Sequence, residues 1–154
     1  MNNIIVIIGP ARSGKTTFAT WLSRQNKENA SGTSRVVYDL MAKARGCTLE
    51  ELYSIPKESL RPHLIKFADG LCDIYPDILS RKLIQDGYTI IDGIRRQSEL
   101  DELKKHYKVE VYFIKRIDGI LKDNFAISPK EADWVVDNTG DYLNFKITKQ
   151  IKTL

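Results

Sequence analysis

Gly9-Pro10-Ala11-Arg12-Ser13-Gly14-Lys15-Thr16 is the stretch that decides the fold. It follows Ile4-Ile5-Val6-Ile7-Ile8, an apolar run too short to span a membrane and rich enough in β-branched residues to read as a strand buried on both faces. Behind it, Phe18, Trp21 and Leu22 recur at helical spacing. Strand, glycine loop and helix in that order are the context in which G-x-x-x-x-G-K-S/T makes a phosphate cradle. The loop's backbone N–H groups and the helix N-terminus face an anion, and Lys15 reaches the outer phosphates. Gly9, Arg12, Ser13, Gly14, Lys15, Thr16 and Thr17 are therefore candidates for binding a nucleoside triphosphate, with Thr16 offering its hydroxyl to Mg2+.

The 154 residues are expected to form one domain, long enough to bury a substantial core. No apolar run approaches a membrane span, and Met1 to Ile8 lacks the basic region and small-residue cleavage site of a signal peptide, so the chain is expected in the cytoplasm. Cys47 and Cys72 make no metal-ligand spacing with His63 or His106 and read as structural thiols. A formal charge of +4 suits an anionic ligand but is too small to establish nucleic-acid binding by itself.

Outward from the loop, the pattern gives a helix from Lys15 to about Arg24, then a polar loop over Asn26 to Ser34. Arg35-Val36-Val37-Tyr38-Asp39 reads as a short second strand. In a parallel sheet its end would bring Tyr38 and Asp39 to the mouth shared with the glycine loop, where Asp39 either serves the site or caps a helix from Leu40. Gly46 closes that helix, and Thr48-Leu49-Glu50-Glu51 has capping-box form. A longer helix from about Ser59 carries Leu60, Leu64, Phe67 and Leu71 on one face and places Arg61 near its start, as a surface residue or a ligand contact. Pro76 to Gln85 reads as a further helix, Tyr88 to Asp92 as a strand, Ser98 to Tyr107 as a helix and Val109 to Ile114 as a strand. Ile117 to Lys130 has the length and place of a lid, Asp133 to Asp137 forms a last strand, and Leu143, Ile147, Ile151 and Leu154 fit a C-terminal helix. The sum is an α/β fold, a three-layer sandwich around five parallel strands.

Tyr88-Thr89-Ile90-Ile91-Asp92 is a buried strand ending in an acid, the Walker B pattern, which makes Asp92 a Mg2+ candidate. With the following Gly93-Ile94-Arg95-Arg96 it resembles the D-G-x-x-R segment of nucleoside monophosphate kinases. That resemblance gives Asp92 the metal role and Arg96 a phosphate role, with Arg95 standing where adenylate kinases usually have proline.

The chain is more similar still to the deoxynucleoside monophosphate kinases of tailed bacteriophages. The likeness covers the loop, Arg61 and the leucine and isoleucine that follow it, Arg95 to Glu99, Arg116, and Asp133 to Gly140. It implies ATP and Mg2+ as cofactors and acceptor contacts from Arg61, Arg95 and Arg96. It also implies an arginine-orienting Glu99, a catalytic Arg116 and Asn138 near the donor base. For a phage protein, the cytoplasm would be the host's.

Arginines at several strand ends around one Mg2+-nucleotide suit phosphoryl transfer, which needs positioning and charge neutralisation. No Asn-Lys-x-Asp sequence supports a GTPase, and a non-catalytic ATP-binding module would need neither the second strand-end acid nor the arginines. The acceptor divides the kinase readings. A deoxynucleoside monophosphate already presents an ionised oxygen and needs arginines; a hydroxyl must lose a proton and benefits from a carboxylate such as Asp39. The small, basic chain also resembles the phage P-loop kinases that phosphorylate 5-hydroxymethyluracil within DNA, which makes a nucleoside or DNA hydroxyl the alternative acceptor. Oligomeric state is not legible.

Overall fold

The computed structural model describes residues 3–116, 127–138, 140 and 144–152. β1 (Asn3–Ile8) lies at the centre of a six-stranded sheet. Its even-numbered residues Ile4, Val6 and Ile8 pack on one side and Ile5 and Ile7 on the other, the two-residue alternation of a strand covered on both faces. The loop leads into α1 (Lys15–Asn26), which lays Phe18, Ala19 and Leu22 over Ile5 and Ile7.

β2 (Ala30–Gly32) runs straight into α2 (Thr33–Arg45). This corrects the strand expected over Arg35 to Asp39: those residues are helical, and the strand lies in the stretch read as a loop. Val36, Val37, Leu40 and Met41 fall at helical spacing and face the core. β2 is the outermost strand, so three small residues suffice.

Gly46 closes α2 in the left-handed conformation. Thr48 and Glu51 form the capping box of α3 (Leu49–Ser54), with both bonds at 3.1 Å. Next come α4 (Lys57–Ile74), α5 (Ile78–Gln85), β3 (Ile90–Asp92), α6 (Gln97–His106), β4 (Lys108–Arg116) and β5 (Trp134–Asn138). The sheet order is β2-β3-β1-β4-β5-β6, and β1 to β5 are all parallel.

The sixth strand, β6 (Phe145–Lys149), pairs antiparallel with β5. It replaces the expected C-terminal helix. Phe145 explains the choice: its ring meets Phe18 edge-on at 5.1 Å and adds to the cluster under α1, a contact a helix stripe through Ile147 and Ile151 would not provide. Most of the segment expected to form a lid, residues 117–126, lies outside the described residues; at its end Ile127 is buried and Pro129–Glu131 is one 3-10 turn.

Candidate phosphate-binding site

The parallel strands bring their C-terminal ends to one edge. Ile7 of β1 pairs with Asp92 of β3, which pairs in turn with Gly32 of β2. The chain crosses β1 between β3 and β4, so the loop after β1 sits at the switch point where open α/β sheets hold ligands.

Gly14 introduces α1 with φ 97° and no side-chain cap, leaving the first N–H groups of a 12-residue helix to the loop's interior. A Cβ at Gly14 would lie 2.5 Å from Asn138 Nδ2, and that amide donates to the Ser13 carbonyl at 3.0 Å. Asn138, at the end of β5, thus braces the cradle from outside. Arg12 is held at φ 62°, unusual for a side chain of its size, and its carbonyl accepts a 3.4 Å bond from Arg116 at the end of β4. Lys15 Nζ donates to the carbonyls of Gly9 and Pro10 at 2.8 and 2.9 Å, folding its ammonium back over the loop.

Asp92 lies near this ammonium and the Thr16 hydroxyl, both of which favour its charged form. Burial pushes its carboxyl above the ordinary range, and Lys15 and Thr16 partly offset the shift. Such a carboxylate gains from a cation. Thr16 and Asp92 offer hard oxygens, and among the described residues no group of three or more His, Cys, Asp or Glu could hold a metal. The donor set fits Mg2+ held mainly by nucleotide phosphates and water rather than by a protein cage.

The other expected residues divide. Arg95 and Arg96 follow β3, and Arg96 pairs with Asp69 of α4 while Arg95 is exposed. Arg61 is exposed near the start of α4. Thr17 is exposed in the first turn of α1. Glu99 is buried in the first turn of α6. Burial pushes its carboxyl up to about 7, against hydrogen bonds from Ser80 and the charge of Arg96, and its Oε1 finds no partner among the described residues.

Tyr38 stacks on Tyr53 of α3, with ring centroids 4.6 Å apart. Asp39 is not at a strand end. It stands in α2 about 9 Å along the axis from Thr33, one turn beyond Arg35. Arg35 donates to the Tyr88 hydroxyl, and that bond, with Asp39's charge adding to it, holds the guanidinium above its usual range.

What does stand at the end of β2 is Gly32 and Thr33. Thr33 Oγ1 donates to the Gly93 carbonyl at 3.0 Å and is buried. Neither residue emerges from the sequence reading; the small-residue run Ser31-Gly32-Thr33-Ser34 before a helix was the available signal.

No family model matches the chain. Over 70 residues it is 44% identical to tRNA dimethylallyltransferase 1 of Syntrophus aciditrophicus, a match covering 45% of this chain and 23% of that enzyme. Over 68 residues it is 41% identical to tRNA dimethylallyltransferase 2 of Bacteroides fragilis, covering 44% of this chain and 22% of that one. The chain spans about a quarter of the length of these curated relatives. A solved sugar kinase from Janibacter sp. HTCC2649 in its unliganded form aligns over 89% of this chain and 85% of its own, at 15% identity and a TM-score of 0.45. The chain carries a glycine loop of the G-x-x-x-x-G-K-T form between β1 and α1 and a mostly parallel sheet. No helix among the described residues is long and apolar enough to cross a membrane.

Proposed function

We propose that the chain transfers the γ-phosphoryl group of ATP to a deoxynucleoside monophosphate, giving a diphosphate. One observation carries the choice of acceptor: the end of β2, beside Asp92, holds Gly32 and Thr33 where a hydroxyl acceptor would want a base, and Asp39 lies along α2 instead. A phosphate oxygen is already ionised, so it needs cationic clamps rather than proton removal. Arg95 and Arg96, at the end of the neighbouring strand, are suited to that task, and Arg61 is the third candidate.

In this reading the backbone N–H groups of Ala11 to Thr16 hold the donor phosphates, and Lys15 leaves its carbonyl partners for the β- and γ-oxygens. Arg116 counters charge from the β4 side, and Asn138 keeps the cradle shut near the donor base. Thr16 and Asp92 would hold Mg2+, which when bound neutralises phosphate charge. Glu99 sets the position of Arg96. The work is electrostatic positioning.

The 44% identical segment favours a second reading, transfer of a dimethylallyl group to tRNA, as the relatives' name states. One assay separates them. Labelled ATP with Mg2+ is offered against deoxynucleoside monophosphates, nucleosides and hydroxymethylated DNA, and a labelled dimethylallyl donor against unmodified tRNA. Transfer to a monophosphate, abolished by EDTA, is expected; label appearing only in tRNA or only in DNA would overturn the proposal.

A further inference from the structure

A groove of about 680 Å³ opens between the C-terminal half of α2 and α4. Met41, Phe67 and Leu71 form its apolar floor, while Arg45, His63 and Lys66 stand around it. None of its lining residues is acidic. It is separate from the proposed site of transfer: Gly70, which also lines it, is nine residues from Arg61, about two and a half turns, so the two lie on opposite flanks of α4.

Gly70 adds an independent observation. Glycine inside a helix costs about 1 kcal/mol relative to alanine, and a fold that accepts it usually needs the conformation or the space. Here neither applies to the fold itself. The backbone is not in the left-handed region, and a Cβ would meet nothing within 4 Å. What the missing side chain leaves is the open groove.

We propose that this groove is a second nucleotide site, taking a nucleoside phosphate with its base on the Met41–Phe67–Leu71 floor and its phosphates on Arg45, His63 and Lys66. The volume is that of small-ligand pockets, and an apolar body with an anionic end is what such a lining complements. Arginine and lysine supply charge-assisted bonds to phosphate oxygens, and a histidine ring supplies an N–H donor. A second copy seated symmetrically on the same face would bring its own cations against these, which disfavours a dimer as occupant.

Gly70→Leu fills the groove without touching the phosphate cradle, and better helix propensity should hold or raise its Tm. Equilibrium dialysis with labelled ATP and labelled deoxynucleoside monophosphates would count nucleotides per chain in the wild type, Lys15→Ala, Gly70→Leu and Lys66→Glu. The expected result is one nucleotide per chain that persists in Lys15→Ala, disappears in Gly70→Leu and binds roughly tenfold or more weakly in Lys66→Glu. A folded Gly70→Leu chain that binds as many nucleotides as the wild type, or a wild type whose binding is wholly lost in Lys15→Ala, overturns the site. Phosphoryl transfer by Gly70→Leu reports separately on the function proposed above.

Discussion

A Cβ at Gly32 would lie 2.6 Å from Asp92 Oδ1, so the carboxylate ending β3 occupies the space a side chain on β2 would take. The two residues are register partners, and Thr33 adds its bond to Gly93 one residue further on. The ends of these strands are fitted to hold the Asp92 side chain toward Lys15 and Thr16. Gly32→Ala should therefore push the carboxylate aside, lowering kcat by roughly ten- to a hundredfold, the scale of loss from misplacing a reacting group by about 1 Å. ATP affinity should change little, because the loop itself is untouched. A Mg2+ titration of turnover is the measurement, and an unchanged kcat would show that Asp92 needs no such seat.

Lys15→Ala should reduce transfer on the order of a thousandfold or more, the scale seen when one electrostatic stabiliser of a developing charge is removed. The side chain is only partly buried and its ammonium donates to two loop carbonyls, so the fold should survive. Circular dichroism would establish the fold and single-turnover kinetics the rate. Near-normal turnover in a folded variant would remove the loop from the chemistry.

Glu99 gives a pH dependence of stability with a definite sign. Its carboxyl is raised by burial to about 7, above the value it takes in an unfolded chain, so between roughly pH 4.5 and pH 7 the folded state holds the proton more tightly. The group's stabilising effect is complete below about pH 4.5 and is lost as pH rises through about 7, a change of a few kcal/mol. Glu99→Gln should raise Tm at pH 8 relative to the wild type and have much less effect at pH 5. Equal shifts at both pH values would mean that Glu99 is ionised in the fold throughout.

The glycine loop, β1, α1 and the Walker B strand were legible because each rests on strong local signals: a β-branched run, fixed-spacing glycines and a terminal acid. The start of α2 was not. Val36 and Val37 are β-branched and invite a strand, but the packing of Val36, Val37, Leu40 and Met41 against the helical side of the fold overrides that preference. β2 carries no hydrophobic signal because an edge strand of three residues needs none, and this hid Gly32 and Thr33. At the other end, Phe145-Lys146-Ile147-Thr148-Lys149 does alternate as a strand, and the Leu143 to Leu154 stripe competed with it. The Asp69 partner of Arg96 and the Ser80 partner of Glu99 are tertiary meetings with no local signature.

The misplaced Asp39 yields the sharpest test of the acceptor. From α2, beside Arg35, it has no route to abstracting a proton at the end of β2, so Asp39→Asn should leave kcat within about twofold, as for a surface change outside the site. Arg96→Ala should instead raise the acceptor KM by roughly ten- to a hundredfold through loss of a charge-assisted phosphate contact, with Arg95→Ala and Arg61→Ala acting in the same direction. The Asp69 pair refines the expectation, since in the proposed reaction Arg96 would exchange that carboxylate for the acceptor phosphate. Asp69→Asn should shift the acceptor KM while leaving the KM for ATP in place. A hundredfold fall in kcat for Asp39→Asn, with acceptor KM unchanged in all three arginine variants, would return the choice to a hydroxyl acceptor.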